Sequence, residues 1–317
     1  MPKSIFTILF MALSVASCSI SGTKQSSDDE NANGLYPELG FLKDSLESIA
    51  QSYPGEIGIA LLTDSGDTLT VNNDDKYPLM SVFKLHQAIS LCHKLEQHGI
   101  SIDSVVTIDS GTLNPDTWSP MLKEHSEPII HISIRDLMRY TLTMSDNNAS
   151  NYMFQHLESV AETDSFIATI VPRECFRIAV TEADMWADHS LSYDNHSSPY
   201  GAAMLIERLF TDSIIGQDNR DFLCTTLREC ITGKDRISEP LADKDGVSVA
   251  HKTGSGFRTE NGILMAHNDV AFIDLPDGRH YTLAVLVKDF DGTEEQAAAA
   301  IAKVSETVYT TLYANKP

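Results

Sequence analysis

The sequence is short of positive charge, of cysteine and of long apolar runs. Its 317 residues carry 23 lysines and arginines against 45 aspartates and glutamates, a formal net charge of −22 at pH 7. Nucleic acids and anionic lipid surfaces are bound through basic patches, so this balance argues against both as electrostatic partners. The five cysteines form no C-x-x-C pattern and the histidines no H-x-x-x-H pattern. We therefore expect neither a metal site nor another cofactor.

The first eighteen residues are typical of a signal peptide. Lys3 is followed by an apolar run over residues 5–13, which is too short to span a bilayer as a permanent helix. The run ends in Val15-Ala16-Ser17-Cys18, which is similar to a bacterial lipobox, where the cysteine becomes the lipid-modified first residue of the mature protein. Plain secretion with cleavage nearby is the alternative. Residues 19–34 are polar and predict a disordered tether.

Export would leave four cysteines in an oxidising compartment, where disulfides can form. Cys224 and Cys230 lie six residues apart in a segment with the pattern of one helix, roughly 9 Å along its axis at ~1.5 Å per residue. That separation is too long for a disulfide. If a bridge forms, Cys175 is the first candidate, and its partner stays open. We expect an exported protein on the periplasmic side of a Gram-negative envelope, attached to the membrane only through lipid at Cys18.

Predicted strands lie near both ends of the chain. Runs of apolar and β-branched residues predict them at residues 57–62, 68–71, 247–251, 263–273 and 281–287. Helical spacing is found at residues 41–53, 83–95, 134–144, 148–157, 198–210, 222–231 and 294–313. The segment that precedes Ile132 is predicted to be rich in loops.

This order of elements predicts an α/β (α+β) fold. One antiparallel sheet is built from both ends of the chain and flanked by the terminal helices, and an all-helical lobe is inserted between its halves. We place the domain at residues 35–317, with a sheet lobe at about residues 35–75 and 236–317 and a helical lobe at about residues 76–235. A site made by both lobes would lie in the cleft between them.

The stretch from Tyr77 to Lys84 predicts a turn that leads into a helix with a buried apolar stripe. Ser81 and Lys84 are three residues apart, so their side chains share one face. A serine at a helix N-terminus is placed to become an alkoxide, because unpaired N–H groups and the helix dipole stabilise negative charge there. A buried amine can take the proton, since desolvation disfavours its charged form. The plainer interpretation is that Ser81 caps the helix and Lys84 extends to solvent.

Three further patterns fall where the predicted cleft would be. Ser145-Asp146-Asn147 lies at the junction of two predicted helices, and Lys252-Thr253-Gly254-Ser255-Gly256 ends a predicted strand. Glu182 lies in a long irregular stretch at residues 180–185. Taken singly, they are typical of a helix cap, a strand end and a solvated loop residue.

Together and in this order, the patterns resemble the motifs of the class A serine β-lactamases, S-x-x-K, S-D-N and K-T-G, which penicillin-binding proteins share. The resemblance extends from about Glu38 to Leu312. Within the class, residues 143–147, 232–237 and 250–256 are similar to the extended-spectrum cephalosporinases. The resemblance implies a serine β-lactamase/D,D-peptidase-like fold and hydrolysis of the β-lactam ring of cephalosporins and penicillins through a serine acyl-enzyme. It also implies antibiotic resistance and a monomer whose partner is a small β-lactam.

The resemblance implies a role for each catalytic residue. Ser81 is the nucleophile, and either Lys84 or Glu182 removes its proton, a choice that is disputed for the class. Ser145 passes a proton to the lactam nitrogen, with Lys252 beside it. Glu182 then activates the water that hydrolyses the acyl-enzyme.

The resemblance also implies the groups that hold the substrate. The backbone N–H groups of Ser81 and Ser255 form the oxyanion hole. Lys252 and the hydroxyls of Thr253 and Ser255 match the substrate carboxylate, and Asn147 would hydrogen-bond the substrate's side-chain amide. The implied substrate-binding residues are Asn147, Thr253, Gly254, Ser255, Arg236 and Trp118.

Several positions depart from the common family pattern. Trp186 stands where an asparagine often helps to hold the hydrolytic water, and Val180 replaces an arginine that forms a salt bridge closing the loop. Asn261 occupies the place of a carboxylate-binding arginine, for which Arg236 resembles the subgroup's substitute. Arg236 as a solvated turn residue and Trp118 as a plain packing residue rather than a pocket rim are the alternatives.

Two other functions share these motifs. A penicillin-binding D,D-peptidase acting on cell-wall peptides lacks the deacylating glutamate, and a β-lactam sensor is acylated and stays acylated. Turnover of a chromogenic cephalosporin separates the three, because only a lactamase gives many turnovers rather than one burst.

The lipobox-like sequence makes a testable prediction about attachment. Cys18→Ala removes the thiol that would carry the lipid, so we expect the protein to move from the detergent-soluble membrane fraction into the soluble fraction. Immunoblots of fractionated cells measure this, with Ser17→Ala as a control that leaves the thiol in place. Unchanged fractionation of Cys18→Ala would show that Cys18 is not lipidated.

Overall fold

The computed structural model of the protein describes residues 37–74 and 76–314. The signal peptide, the tether and Cys18 lie outside these residues. The described residues from Glu38 onwards form one compact unit. The α-helices are α1 (Pro37–Gln51), α2 (Phe83–Gln97), α3 (Pro120–Glu124), α4 (Ile134–Thr143), α5 (Asn147–His156), α6 (Val160–Ile167), α7 (Glu182–Ala187), α8 (Pro199–Thr211), α9 (Gln217–Arg228) and α10 (Glu294–Tyr309). The strands are β1 (Glu56–Thr63), β2 (Thr68–Val71), β3 (Tyr77–Pro78), β4 (Val105–Asp109), β5 (Ile129–Ser133), β6 (Phe176–Arg177), β7 (His196–Ser197), β8 (Ser248–Ser255), β9 (Leu264–Asp274) and β10 (His280–Phe290).

The main sheet has five strands in the order β2-β1-β10-β9-β8. Every pairing is antiparallel, and β1 from the N-terminal part of the chain pairs along its whole length with β10, from Glu56 opposite Lys288 to Thr63 opposite Tyr281. The prediction of one antiparallel sheet assembled from both ends of the chain is therefore confirmed. Strand β8 is an edge strand, and this leaves one side of it available to the cleft.

The sheet separates two apolar cores because successive side chains of a strand point to opposite faces. Along β10, Leu283 and Val285 contact the core under the terminal helices, with Leu46 of α1 and Ile301 of α10. Leu286 belongs to the second core, which holds the helices of the middle segment. Fully burying each such aliphatic side chain contributes about 1.5–3 kcal/mol.

The middle segment is not all-helical, so that part of the fold prediction is wrong. Strands β4 and β5 form an antiparallel hairpin within the segment that the sequence predicted to be rich in loops. Their side chains alternate between exposed and buried positions, which suits a sheet with one face on the core. A second small sheet has the order β3-β7-β6 and joins the segment before Ser81 to residues 176–197.

Two helices differ from the prediction, one in its limits and the other in its burial pattern. Helix α9 begins five residues earlier than predicted and ends at Arg228, so Cys224 and Cys230 do not share one helix. Helix α2 has no single buried stripe, because every residue from Phe83 to Cys92 is buried.

Cys92, Cys175, Cys224 and Cys230 are free thiols. Within the described part of the chain, no helix is long and apolar enough to cross a bilayer.

Candidate active site

Ser81 lies in a tight turn that the edge strand approaches closely. The turn is a 3₁₀ helix, Met80–Val82, directly before α2, and Met80 has a φ of 46°. A Cβ atom at Gly254 of β8 would lie 2.4 Å from the carbonyl oxygen of Leu79 and 3.2 Å from the backbone nitrogen of Ser81. Gly254 therefore contributes by having no side chain, which lets β8 pack directly against the Ser81 turn.

The amine of Lys84 joins the other polar groups of the site. Its Nζ lies 2.9 Å from Oγ of Ser81, 2.9 Å from Oε1 of Glu182 and 2.6 Å from Oδ1 of Asn147. It also donates to the backbone carbonyl of Ser145 at 2.9 Å. The side chain of Lys84 is fully buried and that of Glu182 is 6% exposed. The interpretation of Lys84 as a side chain that extends to solvent is therefore wrong.

Glu182 is the first residue of α7 rather than part of an irregular stretch, which corrects the prediction. Thr181 caps this six-residue helix, and its side chain and Asp184 bond each other's backbone N–H groups reciprocally. Oε1 of Glu182 accepts a hydrogen bond from the Ser81 hydroxyl at 3.0 Å. Ser81 thus donates to Glu182 while it accepts from Lys84.

Ser145 stands between the two lysines of the site. Its φ is 59°, a left-handed conformation that costs a serine free energy and that the flanking helices α4 and α5 hold in place. Nζ of Lys252 lies 3.1 Å from Oγ of Ser145, and Nζ of Lys84 lies 3.4 Å from the same oxygen. Burial, together with the positive charge of Lys84, lowers the pKa of Lys252 to about 7. This amine can therefore hold or release a proton near neutral pH.

Asp146 supports the position of its neighbours. It is buried at the N-terminus of α5, where it accepts hydrogen bonds from the backbone N–H of Ala149, from the hydroxyl of Ser119 and from the N–H of Met121. The side chain of Asn147 bonds Lys84 through its oxygen and Thr117 through its nitrogen. The Ser-Asp-Asn motif is thus a helix cap and a part of the site at once.

The end of β8 carries polar groups on the open side of the sheet. The N–H of Gly256 donates to the carbonyl of Ala266 on β9, so the N–H of the preceding Ser255 points away from β9 and into the cleft. Thr253 Oγ1 lies 2.6 Å from Oγ1 of Thr232. Ser255 is exposed, and its hydroxyl accepts a hydrogen bond from Arg236 at 2.6 Å.

Arg236 is a buried residue, so its interpretation as a solvated turn arginine is wrong. It is 6% exposed, and its guanidinium donates to the carbonyls of Asn268 and Gly254 as well as to Ser255. Asn261, at the place of the usual carboxylate-binding arginine, lies in an exposed turn. Arg236 therefore reaches the cleft through the hydroxyl of Ser255.

Asn195 closes the loop of residues 179–195 that carries Glu182. Its buried side chain accepts hydrogen bonds from the N–H groups of Ala179 and Val180 and donates one to the carbonyl of Val180. Its own carbonyl accepts a hydrogen bond from Leu79, close to Ser81. The sequence analysis missed this residue, although the absence of an arginine at position 180 showed that some other closure was needed.

The two tryptophans lie at the margin of the site. Trp118 is 55% exposed, and its carbonyl accepts from the N–H of Asn147 while its indole donates to the carbonyl of Met144. Trp186 is 43% exposed and packs edge-on against His189 and Phe257. Trp186 therefore lies beside the turn that follows β8, on the outer side of α7.

A serine that bonds a buried lysine and a buried carboxylate, next to an edge strand with outward-pointing N–H groups, defines a site for acyl transfer through serine. The model of the beta-lactamase enzyme family matches residues 41–312. The chain belongs to this family, and its fold is that of the class A enzymes.

Individual relatives agree with this assignment. The chain is 53% identical over 288 residues to a β-lactamase of Phocaeicola vulgatus, covering 91% of this chain and 89% of the relative. It is 31% identical to the extended-spectrum β-lactamase PER-1 of Pseudomonas aeruginosa, covering 85% and 86%. Among solved structures, the TLA-3 extended-spectrum β-lactamase matches with a TM-score of 0.83, 29% identity and coverage of 86% and 99%. A class A β-lactamase from Bacteroides cellulosilyticus matches with a TM-score of 0.82, 29% identity and coverage of 89% and 100%.

The contacts of Asn195 predict a measurable effect on stability and turnover. Asn195→Ala leaves backbone N–H groups of residues 179 and 180 without partners, and each such loss costs about 1–3 kcal/mol when the group is buried. We expect a lower melting temperature and a lower kcat, because Glu182 sits on the loop that these bonds close. Asn219→Ala removes an exposed amide that bonds Glu96 far from the site and serves as the matched control. Unchanged melting and kcat in Asn195→Ala would refute the role of this residue.

Proposed function

We propose that the protein hydrolyses the β-lactam ring of cephalosporins and penicillins through an acyl-enzyme on Ser81, and that it thereby confers antibiotic resistance. The observation that carries this proposal is the position of the Ser81 hydroxyl, 2.9 Å from the amine of Lys84 and 3.0 Å from the carboxylate of Glu182. Both partners are buried, so neither interaction is weakened by bulk water.

Acylation begins with the attack of Ser81 Oγ on the lactam carbonyl carbon. In the hydrogen bonds of the site Ser81 donates to Glu182 and accepts from Lys84, which supports Glu182 as the acceptor of the hydroxyl proton. The N–H groups of Ser81 and Ser255 stabilise the oxyanion. When the C–N bond breaks, Ser145 delivers a proton to the lactam nitrogen and is itself reprotonated from the adjacent lysines, Lys84 and Lys252.

The substrate carboxylate binds at the end of β8. Lys252 supplies a positive charge, and the hydroxyls of Thr253 and Ser255 supply donors. Arg236 acts through Ser255, whose hydroxyl it holds at 2.6 Å. Asn147 is held by Lys84 and Thr117 near the position of the substrate's side-chain amide, and the exposed Trp118 forms the rim.

Deacylation requires a general base that takes a proton from the attacking water, and we assign this role to Glu182. Lys84 has given up a proton through Ser145, so it can take the serine proton back from Glu182, whose Oε1 lies 2.9 Å from its Nζ. The regenerated carboxylate can then accept a proton from a water molecule that attacks the ester. This step distinguishes a lactamase from a D,D-peptidase, which lacks the deacylating glutamate, and from a β-lactam sensor, which stays acylated. The contact between Ser81 and Glu182 therefore favours the lactamase over both alternatives.

Steady turnover of a chromogenic cephalosporin tests the proposed activity. Many turnovers per enzyme molecule are expected from the purified protein. Ser81→Ala is expected to give neither turnover nor a covalent adduct in intact mass spectra, because it has lost the nucleophile. A single burst from the unaltered protein, or an adduct that persists in Ser81→Ala, would overturn the proposal.

The role of Glu182 gives a sharper prediction. Glu182→Gln keeps the shape of the side chain and removes its basicity, and a general base typically contributes ~10²–10⁴-fold. We expect deacylation to slow by that factor and acylation to fall less, since Lys84 still contacts Ser81. An acyl-enzyme should then accumulate within minutes of adding a cephalosporin.

Two other results would change the roles assigned to these residues. Normal turnover by Glu182→Gln would mean that another group is the base, and Asp184, an exposed carboxylate on the same helix, is then the next candidate, which Asp184→Asn tests. The absence of any adduct would mean that Glu182 is required for acylation as well and that Lys84 is not a sufficient base.

We further propose that cephalosporins are better substrates than penicillins. The proposal is supported by the contact between Arg236 and Ser255 and by the likeness to PER-1 and TLA-3, which are named extended-spectrum enzymes. Steady-state kcat/KM values for matched members of the two groups measure the preference. Higher values for penicillins would refute it.

The location of the enzyme is also a proposal. The apolar run and the cysteine at position 18 support export to the periplasmic side of a Gram-negative envelope with a lipid anchor. The monomeric state that the resemblance implies is a proposal as well.

A further inference from the structure

A cavity outside the Ser81 site lies between the β4–β5 hairpin and helix α4. Its volume is about 510 Å³, within the range of about 300–1,000 Å³ that is common for small-molecule sites. The end of α3 and the residue that follows it form a third wall. The lining includes Val105, Glu124, His125, Asp136, Tyr140 and Met144.

The local sequence explains how the two main walls form. In the hairpin, Val105 lies directly opposite Ser133, so both side chains are on the face of the hairpin that is turned away from the core. The lining residues of α4 recur at the i, i+3, i+4 and i+7 spacing of one helix face: Asp136, Arg139, Tyr140 and Thr143. The cavity therefore forms where a hairpin face meets a helix face.

Two carboxylates line the cavity, those of Glu124 and Asp136. Oε2 of Glu124 accepts a hydrogen bond from the hydroxyl of Tyr140 at 2.5 Å, and Oδ2 of Asp136 accepts one from the hydroxyl of Ser133 at 2.6 Å. Burial and the hydrogen bond to Glu124 raise the pKa of Tyr140, so the phenol keeps its proton and stays a donor. Since a carboxylate has two acceptor oxygens, each of these groups can accept a further donor.

The basic groups of the lining have partners of their own. The guanidinium of Arg139 lies 3.1 Å from Oε2 of Glu229, and Nδ1 of His125 lies 3.1 Å from Oε1 of Glu127. The ring of His131 bonds a threonine hydroxyl on the same hairpin. Because Glu229 offsets the charge of Arg139, the two carboxylates of the lining dominate and favour a positively charged ligand.

Aromatic and aliphatic groups form the rest of the lining. The rings of His125 and Tyr140 lie edge to face with their centroids 6.1 Å apart, and the side chain of Val105 is 64% exposed. Ring faces attract cations, and apolar walls favour an organic body. Within the described part of the chain, no cluster of acidic, histidine or cysteine side chains fits a metal ion. The ligand that matches these walls is therefore an organic cation with a flat apolar body.

The cavity is connected to Ser145 through the backbone of Tyr140. The carbonyl oxygen of Tyr140 accepts hydrogen bonds from the N–H of Met144 at 3.2 Å and from the N–H of Asp146 at 3.1 Å, on either side of Ser145. Met144 itself lines the cavity, and its carbonyl accepts a hydrogen bond from the indole of Trp118 at 2.8 Å. A ligand that moves Tyr140 or Met144 therefore also moves the hydroxyl of Ser145.

We propose that this cavity is a second binding site, which takes small aromatic amidinium cations, and that their binding slows acylation by moving Ser145. The amidinium group lies between the carboxylates of Glu124 and Asp136, and the ring lies against Tyr140 and Val105. The effect on acylation rests on the proposed lactamase activity, whereas the binding itself does not.

Isothermal titration calorimetry of the purified protein at pH 8.0 tests the site with three probes of similar shape. Benzamidine is a cation at this pH, benzamide is neutral and benzoate is an anion. We expect one benzamidine per protein molecule, bound at least about tenfold more tightly than either of the others, because only the amidinium makes charge-assisted hydrogen bonds to carboxylates. Equal binding of benzamide, or no detectable binding of benzamidine, overturns the proposal.

Glu124→Gln tests where the cation is bound. The variant keeps the shape of the side chain and an acceptor for Tyr140 but removes the charge, so the affinity for benzamidine is expected to fall about tenfold or more. Glu127→Gln is the matched control, since it removes an equal charge from an exposed residue outside the lining, and its affinity should stay within about twofold. An unchanged affinity in Glu124→Gln, or an equal loss in both variants, contradicts the proposed position.

Single-turnover kinetics test the connection to Ser145. At saturating benzamidine the rate constant for acylation by a cephalosporin is expected to fall about twofold or more. The rate of deacylation should not change, because Ser145 delivers its proton to the lactam nitrogen in the acylation step. Unchanged acylation, or inhibition that a higher cephalosporin concentration overcomes, refutes the connection. If the protein turns over no β-lactam, the calorimetric titrations still decide whether the cavity binds the cation.

Discussion

The burial of Lys84 beside Glu182 is the constraint on which the site depends. Taking an amine and a carboxylate out of water costs several kcal/mol for each ion, and the cost is offset only when both are fully hydrogen-bonded. Here the partners come from three places in the fold: Ser81 from the turn before α2, Asn147 from the start of α5, and Glu182 from α7. All three segments contact the same amine, that of Lys84. Each segment must therefore stay in place for the buried charge to remain hydrogen-bonded.

Backbone conformation supplies the second constraint. Met80 and Ser145 both have positive φ values, 46° and 59°, in regions that cost a residue with a side chain of order ~1–3 kcal/mol. One precedes the nucleophile and the other carries the hydroxyl between the two lysines. Gly254 completes the arrangement, since any side chain there would meet the backbone of Leu79. Strand β8 packs closely against the turn that contains Met80, and helices α4 and α5 flank Ser145.

The motifs could be predicted from the sequence because each is local. Ser81 and Lys84 share a helix face by their spacing, and β8, β9 and β10 have apolar runs that are visible without a structure. The helix that begins at Glu182 was missed because six residues are too few to show a period. Strands β4 and β5 were missed because each has only five residues, too few to show a clear alternation. The start of α9 was missed because Gly216 provides no capping side chain.

Asn195 could not be predicted because its role depends on the folded loop. Its chemistry also separates the closure of that loop from the pH response of the site. Its side chain bonds the backbone of residues 179 and 180, a contact that depends on the folded loop and leaves no pattern in the sequence. A salt bridge at this place would weaken with ionic strength and with protonation of its acid, whereas a neutral amide bonded to buried backbone groups responds to neither. The closure that Asn195 makes therefore involves no charged group. Lys252 is then a source of pH response within the site, because burial and the charge of Lys84 lower its pKa to about 7.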